Sequence, residues 1–267
     1  MPALVSKSLR DYRRALIGWT VGIGAFFGLY LAFYPNVASN PGLYDEVALA
    51  KFPGAMRELM GGFEGGFTSG AGYLQTLVYQ LFGPLLFITC AAVLGNRAIA
   101  RPEESGTLEL IVTLPIDRGR LVLERFAALA LGLLAVAAVS FALVLVMVAA
   151  VGMDVPADRI LAGHTGVFLL ALLFGALTLT VGAATGRRGI AMAVAGAVAV
   201  AGYVIETMGE SMDAVSWLRW ISPFHYYLDG RPLYEGFPVP QYLVLAGATV
   251  ALLLIAVPAF NRRDVGV

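Results

Sequence analysis

The sequence predicts an all-α integral membrane protein with six transmembrane helices and both termini in the cytoplasm. Three observations carry that expectation. Of the 267 residues, 59% are hydrophobic and 13% are charged, and the mean hydropathy is +0.79, far above that of an ordinary soluble domain. Six long windows are almost free of charge. The basic residues that flank them fall unevenly on the two sides.

Each window is close to the roughly 20 residues needed to cross about 30 Å of hydrocarbon. They run over 15–34, 73–95, 126–151, 160–185, 189–208 and 242–260. Lipid offers a backbone amide no partner, so stretches this long must be helical. Basic residues precede the first window, as in a secretory signal. Its apolar run is nevertheless too long for a typical signal core, and no small-residue cleavage site follows, so it reads as a retained helix.

An even number of spans places both termini on one side. On that side lie Lys7, Arg10, Arg13, Arg14, Arg97, Arg101, Arg118, Arg120, Arg125, Arg187, Arg188, Arg262 and Arg263, 13 in all, against Lys51, Arg57, Arg159, Arg219 and Arg231, 5 in all, on the other. The excess marks the cytoplasmic side. The expected location is a cell membrane, multi-pass. The net charge is zero, so nothing points to nucleic acid as a partner. The single cysteine, Cys90, allows no intrachain disulfide and no cysteine metal cluster; within an apolar run it reads as a buried, inert thiol.

Outside the windows, residues 1–14 read as an amphipathic elbow helix, with Val5, Leu9, Tyr12 and Leu16 on one face, lying along the inner headgroups. The extracytoplasmic segment 36–72 holds an amphipathic patch (Met56, Leu59, Met60, Phe63) and then a glycine-rich stretch. That stretch lacks the lysine of a phosphate-binding loop and reads as a linker. The second extracytoplasmic segment, 209–240, is dense in aromatics, including Trp217, Trp220, Phe224, Tyr226 and Tyr227. It is either a short helical hairpin dipping into the outer leaflet, broken at Pro223 and Pro232, or a passive interfacial belt. In the fifth window Gly189, Ala193, Ala197 and Ala201 repeat every four residues, as do Ala191, Ala195 and Ala199. The stripes suit close helix packing, or are generic helix filler.

The cytoplasmic connection 96–125 carries the most information. Pro102, Glu103 and Glu104 form a helix-start signature, with acids at the positive end of the helix dipole. Leu108, Ile111 and Val112 share an apolar face, Pro115 ends that helix, and Asp117 can cap a new one running through Arg118 and Arg125 into the third span. Five arginines balance five acids here, whereas a lipid-binding patch would be one-signed. The connection is a protein-docking element or a solvated loop.

The run Glu103-Glu-Ser-Gly-Thr-Leu-Glu-Leu-Ile-Val-Thr-Leu-Pro-Ile-Asp-Arg118 resembles the hallmark segment of type-2 ABC exporter permeases, the ABC-2 permease family. Two acids, one residue, Gly-Thr-Leu-Glu, an apolar run, Leu-Pro and a following basic residue match position by position. The elbow, six spans, outer hairpin and the closing Phe260-Asn-Arg-Arg-Asp264 are also similar. The resemblance implies a coupling region seated in a groove of a separate ABC ATPase. Glu103, Glu104, Thr107, Glu109 and Arg118 would then make polar contacts and Leu108 and Ile111 would pack beneath, while Gly106 and Pro115 either belong to the same coupling segment or merely shape the loop. It implies as partners that ATPase subunit, a second permease (copy or paralogue) and membrane lipid. No cofactor would be bound by this chain, with ATP and Mg on the ATPase.

The residues agree that the energy comes from elsewhere. A nucleotide-binding loop needs a Gly-Lys pair, and the only lysines, Lys7 and Lys51, follow Ser6 and Ala50. An enzyme is disfavoured as well. His164 and His225 have no metal-ligand spacing to another His or Cys, and read as satisfied interfacial histidines, while Ser140 and Ser222 lie in no nucleophile motif. The rival reading is a secondary transporter or channel without an ATPase. Such proteins usually place ionisable groups at mid-membrane. None stands mid-window here, and Glu206 is expected near the outer end of the fifth span, within reach of interfacial water. Uncharged spans with scattered Gln75, Gln80, Thr89, Thr178 and Thr180 suit a hydrophobic or amphipathic cargo, such as a drug, antibiotic or lipid.

Overall fold

The computed structural model describes residues 3–44, 66–104, 117–209 and 213–263, with isolated positions 51, 53, 54 and 57. Among these there is no strand. Six helices among the described residues are long and apolar enough to cross a membrane. We label them α1 (Ala3–Ala32), α2 (Gly70–Ala98), α3 (Arg118–Ala150), α4 (Ala157–Thr185), α5 (Arg188–Gly209) and α6 (Val239–Asn261).

Local chemistry sets the helix ends. The Ser69 side chain accepts from Gly72 N–H at the start of α2, and Asp117 accepts from Arg120 N–H at the start of α3, each satisfying an N–H that has no partner within its helix. The Asp117 cap read from the sequence is thus in place. Prolines stand at the entrance of α4 (Pro156) and in the first turn of α6 (Pro240), where a missing N–H costs nothing. Gly186 closes α4 in the left-handed region, with φ 66°, a conformation glycine adopts without strain.

The packing divides inner from outer helices. Buried residues make up 67% of the apolar windows of α2 and α4, but only 22% of those of α1 and α6. Helix α4 is central, packing on α2, α6, α5 and α3, while α1 lies along α3. Helices α2 and α4 cross at close range. A Cβ on Gly95 would sit 2.5 Å from the Gly175 carbonyl oxygen, so the backbones meet because Gly95 has no side chain. In α5, Ala191 and Ala195 are buried, whereas the Gly189, Ala193, Ala197 and Ala201 stripe faces away from the rest of the chain.

The described part of the stretch expected as an elbow continues directly into the first span, as α1 runs unbroken from Ala3 to Ala32. No glycine or proline interrupts its first four turns, so nothing breaks the hydrogen-bond ladder. The apolar stripe is present, with Val5 and Tyr12 buried. It packs on α3, where Leu16 lies over Gly132 and Ser8 meets Arg125 at 3.2 Å. The patch from Met56 to Phe63 lies outside the described residues.

Candidate functional site

The end of the bundle that carries both termini holds a charged cluster. After α2 the chain makes a short helix, Ala100–Glu104. It starts two residues before Pro102 and rests on α4, where Gly182 has no side chain to oppose Ala100. Both acids of this helix are taken. Glu103 is ion-paired with Arg263, just beyond α6. Glu104 accepts from the Arg188 backbone N–H at 2.9 Å and faces the Arg188 Nε at 3.2 Å, at the first turn of α5. Arg263 also donates to the Ala183 carbonyl at 3.0 Å, one of the carbonyls that the end of α4 leaves without an internal partner. Arg118, in the first turn of α3, donates to the Arg263 carbonyl at 2.9 Å. Partial burial pulls the Arg263 guanidinium below its usual pKa, because desolvation disfavours a cation; arginine remains charged regardless.

Gly186 is the residue on which this cluster closes. A Cβ there would lie 2.5 Å from both Arg263 Nη2 and Glu103 Oε1. Beneath the charges, Ile99, Leu121, Val122, Leu179, Ala183, Ala256 and Phe260 form an apolar layer drawn from α3, α4, α6 and the residue after α2. Helix α3, at 33 residues, is about 50 Å long by the α-helical rise, so it extends past the hydrocarbon. Its first turns lie in this layer. The short acidic helix is therefore bonded directly to Arg188 of α5 and to Arg263 beyond α6, rests on α4 at Gly182, and is linked to α3 through Arg263.

A family model described as ABC-2 family transporter protein matches residues 3–265. The chain belongs to the ABC-2 transporter family. No curated protein matches the sequence of this ABC-2 permease. Of the site residues expected from the sequence, Glu103, Glu104 and Arg118 come together in the charged cluster, and all three touch partners within the chain. Gly106, Thr107, Leu108, Glu109, Ile111 and Pro115 lie outside the described residues, as do Val112, Leu114 and Asp264. Arg188, Gly186 and Arg263 were not singled out as site residues by sequence reasoning. The signals were a glycine closing a span and a terminal Arg-Arg pair on the same side as two unpaired acids.

The opposite end of the ABC-2 permease departs from expectation at Glu206. This carboxylate is 4% exposed. It accepts from Arg219 Nη2 at 2.8 Å and lies 3.3 Å from His225 Nδ1. The cause is the chain after α5, which folds back over the helix end as a 3-10 helix, Asp213–Ile221, and short helices Pro223–Leu228 and Pro232–Glu235. Water is excluded and arginine takes its place as partner. Phe224 and Tyr227 are buried while Trp217 and Trp220 stay exposed, so the segment both packs on the bundle and presents aromatics outward. His164 is buried within α4, with Nδ1 2.6 Å from the Tyr79 hydroxyl. Cys90 is buried in α2. Among the described residues no three His, Cys, Asp or Glu side chains converge as metal ligands.

Proposed function

We propose that the chain is the membrane subunit of an ATP-driven exporter, with its termini and the charged cluster in the cytoplasm. A separate ABC ATPase docks on the segment that begins at Glu103, and the cargo is hydrophobic or amphipathic. The observation that carries this reading is the way the short acidic helix is bonded to Arg188 of α5 and to Arg263, and through Arg263 to the ends of α3 and α4. A force applied there by a partner reaches α4 through Arg263, α5 through Arg188 and α3 through Arg118, and tightly packed helices move as rigid levers. Family membership supports the ATPase partner. The outward-facing small-residue stripe of α5 suits close approach to a second permease, copy or paralogue.

Transport by the assembled complex in lipid vesicles tests the reading. ATP-dependent efflux of amphipathic dyes should require the ATPase subunit. Glu109→Ala, combined with Glu103→Ala and Glu104→Ala, should leave hydrolysis running while abolishing efflux. Efflux by the permease without an ATPase, or full efflux by the triple variant, would overturn it.

A further inference from the structure

Near its outer end α2 leaves the α-helical register. Gln75–Phe82 is wound as a π-helix, and at its exit the Gly83 N–H bonds to the Val78 carbonyl, five residues back, leaving the Tyr79 carbonyl, four back, unclaimed. The next residue is Pro84, which has no N–H. The Tyr79 carbonyl thus lacks a donor from either residue, at a position 1% exposed, where an orphan acceptor is costly. Tyr227, on the helix Pro223–Leu228, supplies the bond. Its hydroxyl donates to the Tyr79 oxygen at 2.6 Å.

The seat for this contact is built on α4. A Cβ on Gly166 would come 3.1 Å from the Tyr227 ring, and one on Gly163 would come 2.7 Å from the ring of Tyr79. The Tyr79 hydroxyl is held by His164 and, at 3.3 Å, by the Ile160 carbonyl. Tyr79 therefore stays anchored to α4 while its backbone oxygen is the variable part.

Winding decides that oxygen's partner. In α register the Gly83 N–H would take the Tyr79 carbonyl, and the vacancy would pass to Gln80, because Pro84 stands four residues further on. Either winding lacks one donor, so the two are closely matched in internal hydrogen bonds. Glycine at 83 permits the π register, since a Cβ there would overlap the Val78 carbonyl.

We propose that the π-turn of α2 is a two-register joint, and that Tyr227 is a positioning residue that ties the helix Pro223–Leu228 to α2 only while the turn is wound as π. Tightening to α hands the Tyr79 oxygen to Gly83 and removes that tie, which loosens the segment locally. α2 runs from this joint to the short acidic helix, so a rotation imposed at the cytoplasmic end arrives as a change of winding. That last link rests on the exporter reading; the joint and the latch do not.

Hydrogen–deuterium exchange on the purified full-length chain in nanodiscs, without ATPase or cargo, tests the joint. Tyr227→Phe removes only the hydroxyl. Peptides spanning 223–235 should exchange about tenfold faster, as expected when one net hydrogen bond is lost from a local opening, with α3 and α4 unchanged. Gly83→Ala, which keeps Tyr227, should produce the same local increase, and the double variant no more than either alone. Wild-type protection in Tyr227→Phe, or acceleration across all six spans, overturns the latch. Wild-type protection in Gly83→Ala, or additive effects, overturns the two-register joint. These readouts need no transport, so failure of the exporter reading would leave them standing.

Discussion

Glu103, on the short helix after α2, is ion-paired with Arg263, just beyond α6. The pair ties the beginning of the acidic segment to the chain just beyond α6, and Arg263 passes the connection on to the Ala183 carbonyl at the end of α4. Acids that the sequence presents as free for a partner protein are, in this chain, also the means by which the segment is fixed to the spans.

Removing either member should leave a largely buried charge behind, because both side chains are only about one-fifth exposed. Arg263→Ala and Glu103→Ala are each expected to cost about 1–3 kcal/mol, less than a fully buried pair. The double variant should cost less than the sum, with a coupling of about 1 kcal/mol. Thermal unfolding in detergent measures all three.

Gly186→Ala combines backbone strain at φ 66° with a Cβ placed 2.5 Å from both charged atoms of the pair. It should destabilise by about 1–3 kcal/mol. Gly189→Ala, three residues on and with nothing within 4 Å of a new Cβ, should be neutral or slightly stabilising. Equal melting temperatures for the two variants would contradict the cluster geometry.

Asp117→Ala removes the acceptor for Arg120 N–H at the start of α3 and should cost about 1 kcal/mol, whereas Asp117→Asn should retain most of the cap. The loss should appear as faster amide exchange over the first turn of α3, with its membrane-embedded part unaffected.

Glu206→Ala would remove the carboxylate that faces Arg219, whose side chain is 22% exposed. Breaking such a pair from one side is expected to cost about 3 kcal/mol, read as a lower unfolding midpoint. Trp217→Ala, at a side chain 62% exposed, should change stability in detergent by less than about 0.5 kcal/mol.

Gly95→Ala drives a methyl into the Gly175 carbonyl at the α2–α4 crossing. A loss of about 1–3 kcal/mol is expected from overpacking, while Gly196→Ala on α5, with open space around it, serves as the neutral control.

Where one kind of residue settles a local question, the sequence was legible. The six spans were readable because an uncharged run of this length has a single solution in lipid, and the start of α3 because Asp117 has the right side chain immediately before a helix. Glu206 was misread. Its position near a helix end says nothing about the chain that follows, and Asp213–Ile221 covers it. The amphipathic stripe on residues 5–16 fits a lipid surface as well as it fits α3, so the pattern alone does not say which one it meets. Within the charged cluster, Glu103, Glu104 and Arg118 stood out by motif, whereas their partners Arg263 and Arg188 looked like ordinary flanking charges.

The sequence by itself determined the all-helical class and the number of spans, because these follow from the cost of an unpaired amide in hydrocarbon. Only the tertiary structure decided which helices are inner, which acid meets which arginine, and that the Tyr79 carbonyl goes to Tyr227. Those outcomes depend on contacts between residues far apart in the chain. No local pattern specifies such contacts; they exist only once the backbones of α2, α4 and the segment after α5 have come together at their glycines.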